Sequence, residues 1–241
     1  MGAVYLANDV SSGTRVALKL LAPELARDER FRQRFLRESR LAASLEHPNI
    51  VRTLGYGEQE SLLYLAMAYV EGWDLRDLLR REGRLEPAHA VAVVGQVAAA
   101  LDAAHRAGLV HRDVKPGNIL IAGSDALVCD FGLARHISSV SSLTGERGFV
   151  GTIDYVPPEQ IEGGRIDGRA DVYSLGCVLY ECLTGERPLG AFASAVATTS
   201  SKGAGSSVRS AVGRGGGSFR CAKTTASSVS RSNGRSPVRH S

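Results

Sequence analysis

The strongest chemical signal is the segment HRDVKPGN at residues 111–118, which is followed after a short hairpin by an Asp-Phe-Gly triplet that begins at Asp130. Phosphoryl transfer needs a metal-held triphosphate, a group that deprotonates the attacking hydroxyl, and positive charge at the migrating phosphoryl group. Asp113, Lys115 and Asn118 lie on one short loop and could supply the base, the cation and a metal ligand. Asp130 could supply a second oxygen ligand, as Mg²⁺ sites often have. A loop of solvated charges is the simpler alternative, but the combined spacing argues against it.

A small β-structure with one helix is predicted ahead of this loop. Residues 3–8 and 15–20 alternate apolar and polar positions across a turn, which predicts a β-hairpin, and a second strand pair is expected at 50–56 and 62–69. A helix is predicted over 27–45, with an apolar stripe that also contains a carboxylate. The stripe comprises Phe31, Phe35, Glu38, Ala42 and Leu45. A carboxylate on a buried face needs a cation from outside its helix.

Helices are predicted to dominate after Gly72. A short helix is expected at 74–81, and Pro87 begins a long one. We predict that its buried face carries Val91, Val94, Ala98, Leu101 and His105. His105 is interpreted as a packed core histidine rather than a catalytic one. Residues 172–183 are apolar nearly all round, which predicts a helix buried inside a larger domain.

The charge is divided unevenly along the chain. The net charge is +4 for 241 residues, but residues 190–241 hold eight Lys or Arg and no Asp or Glu. The preceding part therefore has 21 basic and 25 acidic residues (29 less 8, and 25 less 0), which makes nucleic acid an unexpected partner. We find no signal peptide and no membrane-spanning run, and the four cysteines lack CxxC spacing, so we expect a reduced, cytoplasmic chain.

Over residues 2–189 the sequence resembles the bacterial eukaryotic-type Ser/Thr protein kinases. In VALK, Lys19 matches the family's strand lysine that binds the α- and β-phosphates, and Glu38 matches the helix glutamate that pairs with it. Further matching segments are GT at 151–152, PPE at 157–159 and DVYSLG at 171–176.

This resemblance implies an α+β, two-lobed kinase fold with ATP and Mg²⁺ in the cleft. The N-lobe would span residues 1–70 as a small antiparallel sheet with one helix, and a mainly helical C-lobe would span 71–189. The metal ligands would be Asn118 and Asp130. The residues expected around the nucleotide are Gly2, Val4, Ala17, Lys19, Met67, Ala68, Val70 and Leu120, with Met67 as gatekeeper.

The resemblance also implies protein substrates with Ser or Thr acceptors. Lys115 follows the Ser/Thr pattern, and Thr152 would bond Asp113 and Lys115. Arg112 makes this an RD kinase, whose arginine binds a phosphate on the activation segment. Ser142 and Thr144 are the favoured autophosphorylation sites, acting on a second copy in trans, although a serine-rich polar loop is the alternative.

The chain departs from the family pattern at both ends. Gly2 matches only the last glycine of the phosphate-covering loop, so the N-lobe is expected to lack its first strand. Residues 190–241 are rich in Ser, Gly and Arg, and we interpret them as a disordered basic tail or as the product of a shifted reading frame. Two functions therefore stay open. One is an active kinase, whose longer parent could be membrane-anchored, and the other is a weak or inactive kinase fragment that acts as a binding module.

Overall fold

The structure is a computed structural model, and it describes residues 2–131 and 153–188. The first part is a four-stranded antiparallel sheet in the order β1-β2-β4-β3. Its strands are β1 (Ala3–Asn8), β2 (Arg15–Leu20), β3 (Thr53–Gln59) and β4 (Leu62–Ala68). The first hairpin has the predicted bounds, and Lys19 lies opposite Val4 and Leu65 in the register of the sheet.

The second strand pair begins later than predicted. Residues around Ile50 do not join β4, because Val51 N donates to Val128 O at 2.9 Å and Val128 N donates to Asn49 O at 2.8 Å. Ile50 and Val128 therefore form an isolated parallel bridge. This pairing ties the chain ahead of β3 to the strand that leads into the catalytic cleft.

The helix predicted over 27–45 is confirmed, and a short helix that was not predicted precedes it. Short helix α1 (Pro23–Ala26) precedes α2 (Glu29–Ser44), which begins where the Asp28 carboxylate accepts from the backbone amides of Arg30 and Phe31. Such a cap satisfies amides that have no partner inside the helix. The predicted stripe of α2 is buried, with Phe31 at 0% and Phe35 at 1% exposure.

The second part is mainly helical with a small sheet. Its three strands are ordered β5-β6-β7, comprising β5 (Trp73–Asp74), β6 (Ile119–Ala122) and β7 (Asp125–Val128). The helices are α3 (Leu75–Glu82), α4 (Pro87–Arg106), α5 (Pro158–Ile161) and α6 (Gly168–Thr184). Single 3-10 turns occupy Pro116–Asn118 and Ile153–Tyr155.

The buried face predicted for α4 is correct at Leu101 but wrong elsewhere, notably at Val91 and Ala98, which are exposed. Val91 is 63% exposed, and the buried positions are Ala90, Val93, Val97, Ala100, Leu101 and Ala104. Because α4 carries small apolar residues on every side, its periodicity does not select one face. By length and composition α4 could also cross a membrane, in contrast to the sequence-based expectation. Its buried residues nevertheless belong to the same core cluster as Leu175 and Val178 of α6.

Helix α6 is buried on one face only. Ala170, Ser174 and Val178 are buried, whereas Val172 is 65% exposed and Tyr173 is 44% exposed. The prediction of burial all round is therefore wrong for the part of the chain that the structure describes. The buried face supports the catalytic loop, as the contacts below show.

Candidate active site

The catalytic loop brings three of the predicted residues together. The Asp113 carboxylate oxygen Oδ2 accepts hydrogen bonds from Lys115 Nζ at 2.7 Å and from Asn118 Nδ2 at 3.1 Å. Asn118 Nδ2 also donates to the backbone carbonyl of Asp113 at 2.8 Å. The turn at Pro116–Asn118 makes these contacts possible, because it folds the chain back toward Asp113. The base, the cation and one metal ligand of the prediction therefore share one hydrogen-bonded loop.

Asn118 and Asp130 suit a divalent cation such as Mg²⁺. The Asn118 amide nitrogen is engaged by Asp113, so its Oδ1 points away from that carboxylate. Cys129 N donates to Asn118 O at 3.0 Å, which holds the residue before Asp130 against the catalytic loop. An amide oxygen and a carboxylate are hard oxygen donors, which Mg²⁺ combines with water and phosphate oxygens. No cluster of three His, Cys, Asp or Glu able to hold a metal occurs among residues 2–131 and 153–188.

Lys19 reaches the cleft from β2 but does not pair with Glu38. Its Nζ lies 2.7 Å from Asp130 Oδ1, and both side chains are mostly buried. Asp130 adopts a left-handed backbone conformation with φ of 62°. The strand lysine and the second predicted metal ligand thus neutralise each other across the two lobes.

Glu38 pairs with Arg112 instead, which corrects the Lys19 partner implied by the resemblance. Arg112 Nη1 lies 3.0 Å from Glu38 Oε1, and the Glu38 side chain is only 9% exposed. The prediction that a buried carboxylate on α2 needs an outside cation is therefore confirmed, but the cation comes from the catalytic loop. The guanidinium reaches the underside of α2, while the Lys19 ammonium is held by a nearer carboxylate.

The catalytic loop is anchored from below by Asp171 of α6, which is completely buried. Its carboxylate accepts hydrogen bonds from the backbone amides of His111 at 2.8 Å and Arg112 at 2.7 Å. It also lies 2.7 Å from Nε2 of His105. The sequence analysis placed Asp171 only in the matching segment DVYSLG.

His111 and Phe131 close the floor of the site. His111 is fully buried, its Nε2 lies 3.0 Å from the Cys129 carbonyl, and its ring centroid lies 4.8 Å from that of Phe131. Burial, followed by the charge of Asp130, raises the pKa of the Cys129 thiol far above its ordinary value. Cys129 is thus a partly buried thiol whose raised pKa disfavours the reactive thiolate.

Most residues expected around the nucleotide base belong to β2, β4 and the segment after β4, with Leu120 packed against them from β6. Ala17 and Met67 are directly opposite each other in the β2–β4 pairing. Met67 is buried, and the partly buried side chains that pack on its cluster include Ala17, Ala68, Val70 and Leu120. Val4 on β1 is 50% exposed.

Gly2 has no room for a side chain. A Cβ atom at this position would lie 1.9 Å from the Leu20 carbonyl oxygen. The steric reason for glycine here is therefore its close approach to the end of β2. Whether Gly2 also covers phosphate, as the resemblance implies, stays a prediction.

Several predicted residues lie outside the described ranges. They are Gly132 of the Asp-Phe-Gly triplet, the favoured phosphorylation sites Ser142 and Thr144, Gly151 and Thr152, and all of residues 190–241. Their proposed roles rest on the sequence alone.

An antiparallel sheet and a helical part, joined at a cleft that holds Lys19, Asp113, Asn118 and Asp130, define a protein kinase domain. The protein kinase domain family model matches residues 1–228. The chain therefore belongs to the protein kinase domain family, and the two-lobed fold predicted from the sequence is confirmed.

The relatives are bacterial Ser/Thr kinases. The chain is 46% identical to serine/threonine-protein kinase PknB of Mycobacterium leprae over 193 residues, which cover 78% of this chain and 31% of that protein. It is 47% identical to serine/threonine-protein kinase PknJ of Mycobacterium tuberculosis over 200 residues, which cover 81% and 34%. The chain thus spans about a third of the length of these curated relatives.

A solved structure gives the same assignment. The PknI kinase domain of Mycobacterium tuberculosis aligns with a TM-score of 0.66 and 37% identity, over 78% of this chain and 69% of that chain. The resemblance to bacterial Ser/Thr kinases that the sequence predicted is confirmed by both comparisons.

Proposed function

We propose that this domain transfers the γ-phosphoryl group of Mg-ATP to Ser and Thr hydroxyls of proteins. Kinases of this family use ATP and a divalent metal and act on proteins, and the choice of Mg²⁺ is supported here by the oxygen donors of Asn118 and Asp130. The observation that carries the proposal is the Asp113 carboxylate held by both Lys115 and Asn118. This arrangement presents a fixed base beside a cation, as transfer to a hydroxyl requires.

The chain's own groups divide the work of the reaction. Asp113 accepts the proton of the attacking hydroxyl, and Lys115 neutralises charge on the migrating phosphoryl group. Lys19, placed at the cleft by β2, binds phosphate oxygens of ATP. When bound by Asn118 and Asp130, Mg²⁺ would neutralise phosphate charge and orient the triphosphate. The surrounding apolar residues, Ala17, Met67 and Leu120, hold the adenine ring.

The class of substrate is inferred from the residues near Asp113 and from the distribution of charge along the chain. Lys115 beside Asp113 favours an aliphatic hydroxyl, and Thr152 is proposed to bond both. Autophosphorylation in trans at Ser142 or Thr144 would place a phosphate near Arg112. We infer action in the cytoplasm, where Mg-ATP is available, with protein rather than nucleic acid as substrate, because basic residues exceed acidic ones only in residues 190–241.

Labelling with radioactive Mg-ATP and a generic basic protein tests the proposal. We expect Asp113→Asn to lower the rate by about 10²–10⁴-fold, as removal of a general base does. Asp102→Asn is a matched control, because this aspartate is 76% exposed on α4. Equal labelling by the wild type and Asp113→Asn would contradict the kinase activity and favour the inactive binding module.

A further inference from the structure

A cavity of about 410 Å³ lies where three helix ends meet in the helical part of the domain. Helices α3 and α6 end beside it, and α4 begins there. The two C-terminal ends are in close contact, because a Cβ atom at Gly185 would lie 2.5 Å from the Gly83 carbonyl oxygen. The Leu85 amide donates to the Cys182 carbonyl at 2.7 Å, which holds the loop between α3 and α4 on the end of α6. Backbone contacts therefore frame the cavity.

The lining of this cavity combines apolar side chains with carboxylates. It comprises Glu82, Arg84, Leu85, Glu86, Pro87 and Leu183. Leu85 is almost completely buried, whereas Glu82 and Glu86 are exposed. A third exposed acid, Glu186, directly follows Gly185, and we call these three glutamates the cavity acids. Within residues 2–131 and 153–188 none of the three forms an ion pair, and Arg84 is the one cation among the lining residues.

The helix ends add further negative potential to the cavity. A helix C-terminus carries about half a negative charge, because its last carbonyls have no partner inside the helix. The basic residues in the last turn of α3 are engaged elsewhere, Arg80 by Asp77 and Arg81 by the ring of Trp73, and the last turn of α6 has none. The N-terminus of α4 has the opposite sign, but Glu86 caps it. The cavity therefore favours a cationic ligand.

A Lys or Arg side chain suits a site of this kind. Its methylene stem packs on apolar surface while its charged head stays beside carboxylates. Residues 190–241 supply such side chains, since they contain eight Lys or Arg and no Asp or Glu. The charge of this segment is thus complementary to that of the cavity, and the segment follows closely after the end of α6.

The basic segment is also long enough to reach the cavity. Leu183 lines the cavity and precedes Pro188, the last described residue, by five positions, so the two are at most about 18 Å apart. Lys202 lies 14 residues beyond Pro188 (202 less 188), and such a stretch can span up to about 46 Å. Because both partners belong to one chain, contacts that would be weak between separate molecules are sufficient.

We propose that residues 190–241 dock in cis on this cavity by inserting a Lys or Arg side chain. The charged head lies beside the cavity acids, and the methylene stem lies against Leu85. The kinase domain thereby carries a binding site for the basic segment of its own chain. This docking does not depend on the phosphoryl transfer proposed above.

Carbodiimide crosslinking of the full chain tests the docking, because this reagent joins a Lys amine directly to a carboxylate that it contacts. Lys202 and Lys223 are the only lysines of the segment. After digestion and mass spectrometry, we expect their crosslinks to fall on the cavity acids about tenfold more often than on Glu162, an exposed acid at the end of α5. In 1 M salt, where charges are screened beyond about 3 Å, this preference should fall about fivefold.

Charge variants separate binding from mere exposure of the acids. The double variant Glu82→Gln and Glu186→Gln should lower crosslinking to the remaining Glu86, because the cavity loses two of its three carboxylates. Arg84→Glu should raise crosslinking to Glu86, because it replaces the cation of the lining with another acid. Glu162→Gln is the matched control and should give the wild-type pattern at the cavity.

Crosslinks spread evenly over the exposed acids would overturn the proposal. Crosslinks that join two chains and increase with protein concentration would also overturn it, since the occupant would then be a second copy. An unchanged yield at Glu86 in the double variant would contradict it as well, because charge would not drive the contact. The wild-type chain needs no kinase activity for any of these measurements, so an inactive enzyme leaves the result valid.

Discussion

The ion pair between Glu38 and Arg112 can be measured with a double-mutant cycle. The variants are Glu38→Gln, Arg112→Gln and the double variant, which keep the side chains polar and similar in size. The two charged atoms are 3.0 Å apart, with the glutamate side chain 9% and the arginine side chain 22% exposed. A hydrogen bond between charged groups contributes about 1.5–3 kcal/mol. Breaking a fully buried pair costs about 3–5 kcal/mol.

We expect a coupling free energy of about 1.5–3 kcal/mol. This value is below the cost of breaking a fully buried pair, because water can solvate part of the Arg112 guanidinium when Glu38 is removed. Urea unfolding followed by far-UV circular dichroism gives the free energy of unfolding of each variant by linear extrapolation. The coupling free energy is the difference between the double variant's change in free energy of unfolding and the sum of the changes in the two single variants.

A second cycle distinguishes the structure from the family-based prediction. Combining Glu38→Gln with Lys19→Met should give a coupling below about 0.5 kcal/mol, because Lys19 is paired with Asp130. A large coupling of Glu38 to Lys19 together with none to Arg112 would refute our reasoning. The exposed pair Asp102 and Arg106, 4.0 Å apart on α4, provides a baseline of about 0–0.5 kcal/mol.

Three further predictions concern packing, a buried hydrogen bond and pH. Phe31→Ala should lower the free energy of unfolding by about 3–5 kcal/mol, and a loss below about 1 kcal/mol in urea would contradict its full burial. Tyr155→Phe removes the hydroxyl that donates to the buried Glu181 carboxylate, so thermal melts should show a loss of about 1–3 kcal/mol, and an unchanged melt would exclude this bond. Burial raises the pKa of the Cys182 thiol from 9.0 to about 12. The stabilisation by the neutral thiol is therefore complete below pH 9 and is lost as the pH rises toward 12. Cys182→Ala should reduce that pH slope by up to about 1.4 kcal/mol per unit, and parallel curves would refute this.

The sequence predicted those parts of the domain whose signals are local. The strands of the first hairpin were correct in their bounds, because alternation with a period of two identifies a half-buried strand. The α2 stripe was correct because its apolar residues follow the helical period and differ clearly from the charged remainder. The residues of the catalytic loop were found from their spacing, since a turn of three residues brings Asn118 back to Asp113.

The sequence pattern did not predict the buried face or the strand partner of segments whose residues are apolar on nearly every side. Helix α4 is apolar on nearly every side, so only its packing against α6 and β7 selected the face with Val93 and Val97. The residues near Ile50 read as a strand of the first sheet, yet they bridge to Val128. In both cases two arrangements satisfy the sequence equally well, and the difference lies in contacts between distant segments.

The partners of the buried charges were likewise decided by tertiary structure. The sequence established that Glu38 needs a cation, because an unpaired buried carboxylate is too costly. Lys19 and Arg112 both satisfy that requirement, and the placement of α2 above the catalytic loop determined that Arg112 is the partner. Tertiary structure likewise brings His105 and the backbone amides of His111 and Arg112 to the buried Asp171 carboxylate. Chemistry read from the sequence therefore fixes which groups need partners, whereas the fold determines which partners come within hydrogen-bonding distance.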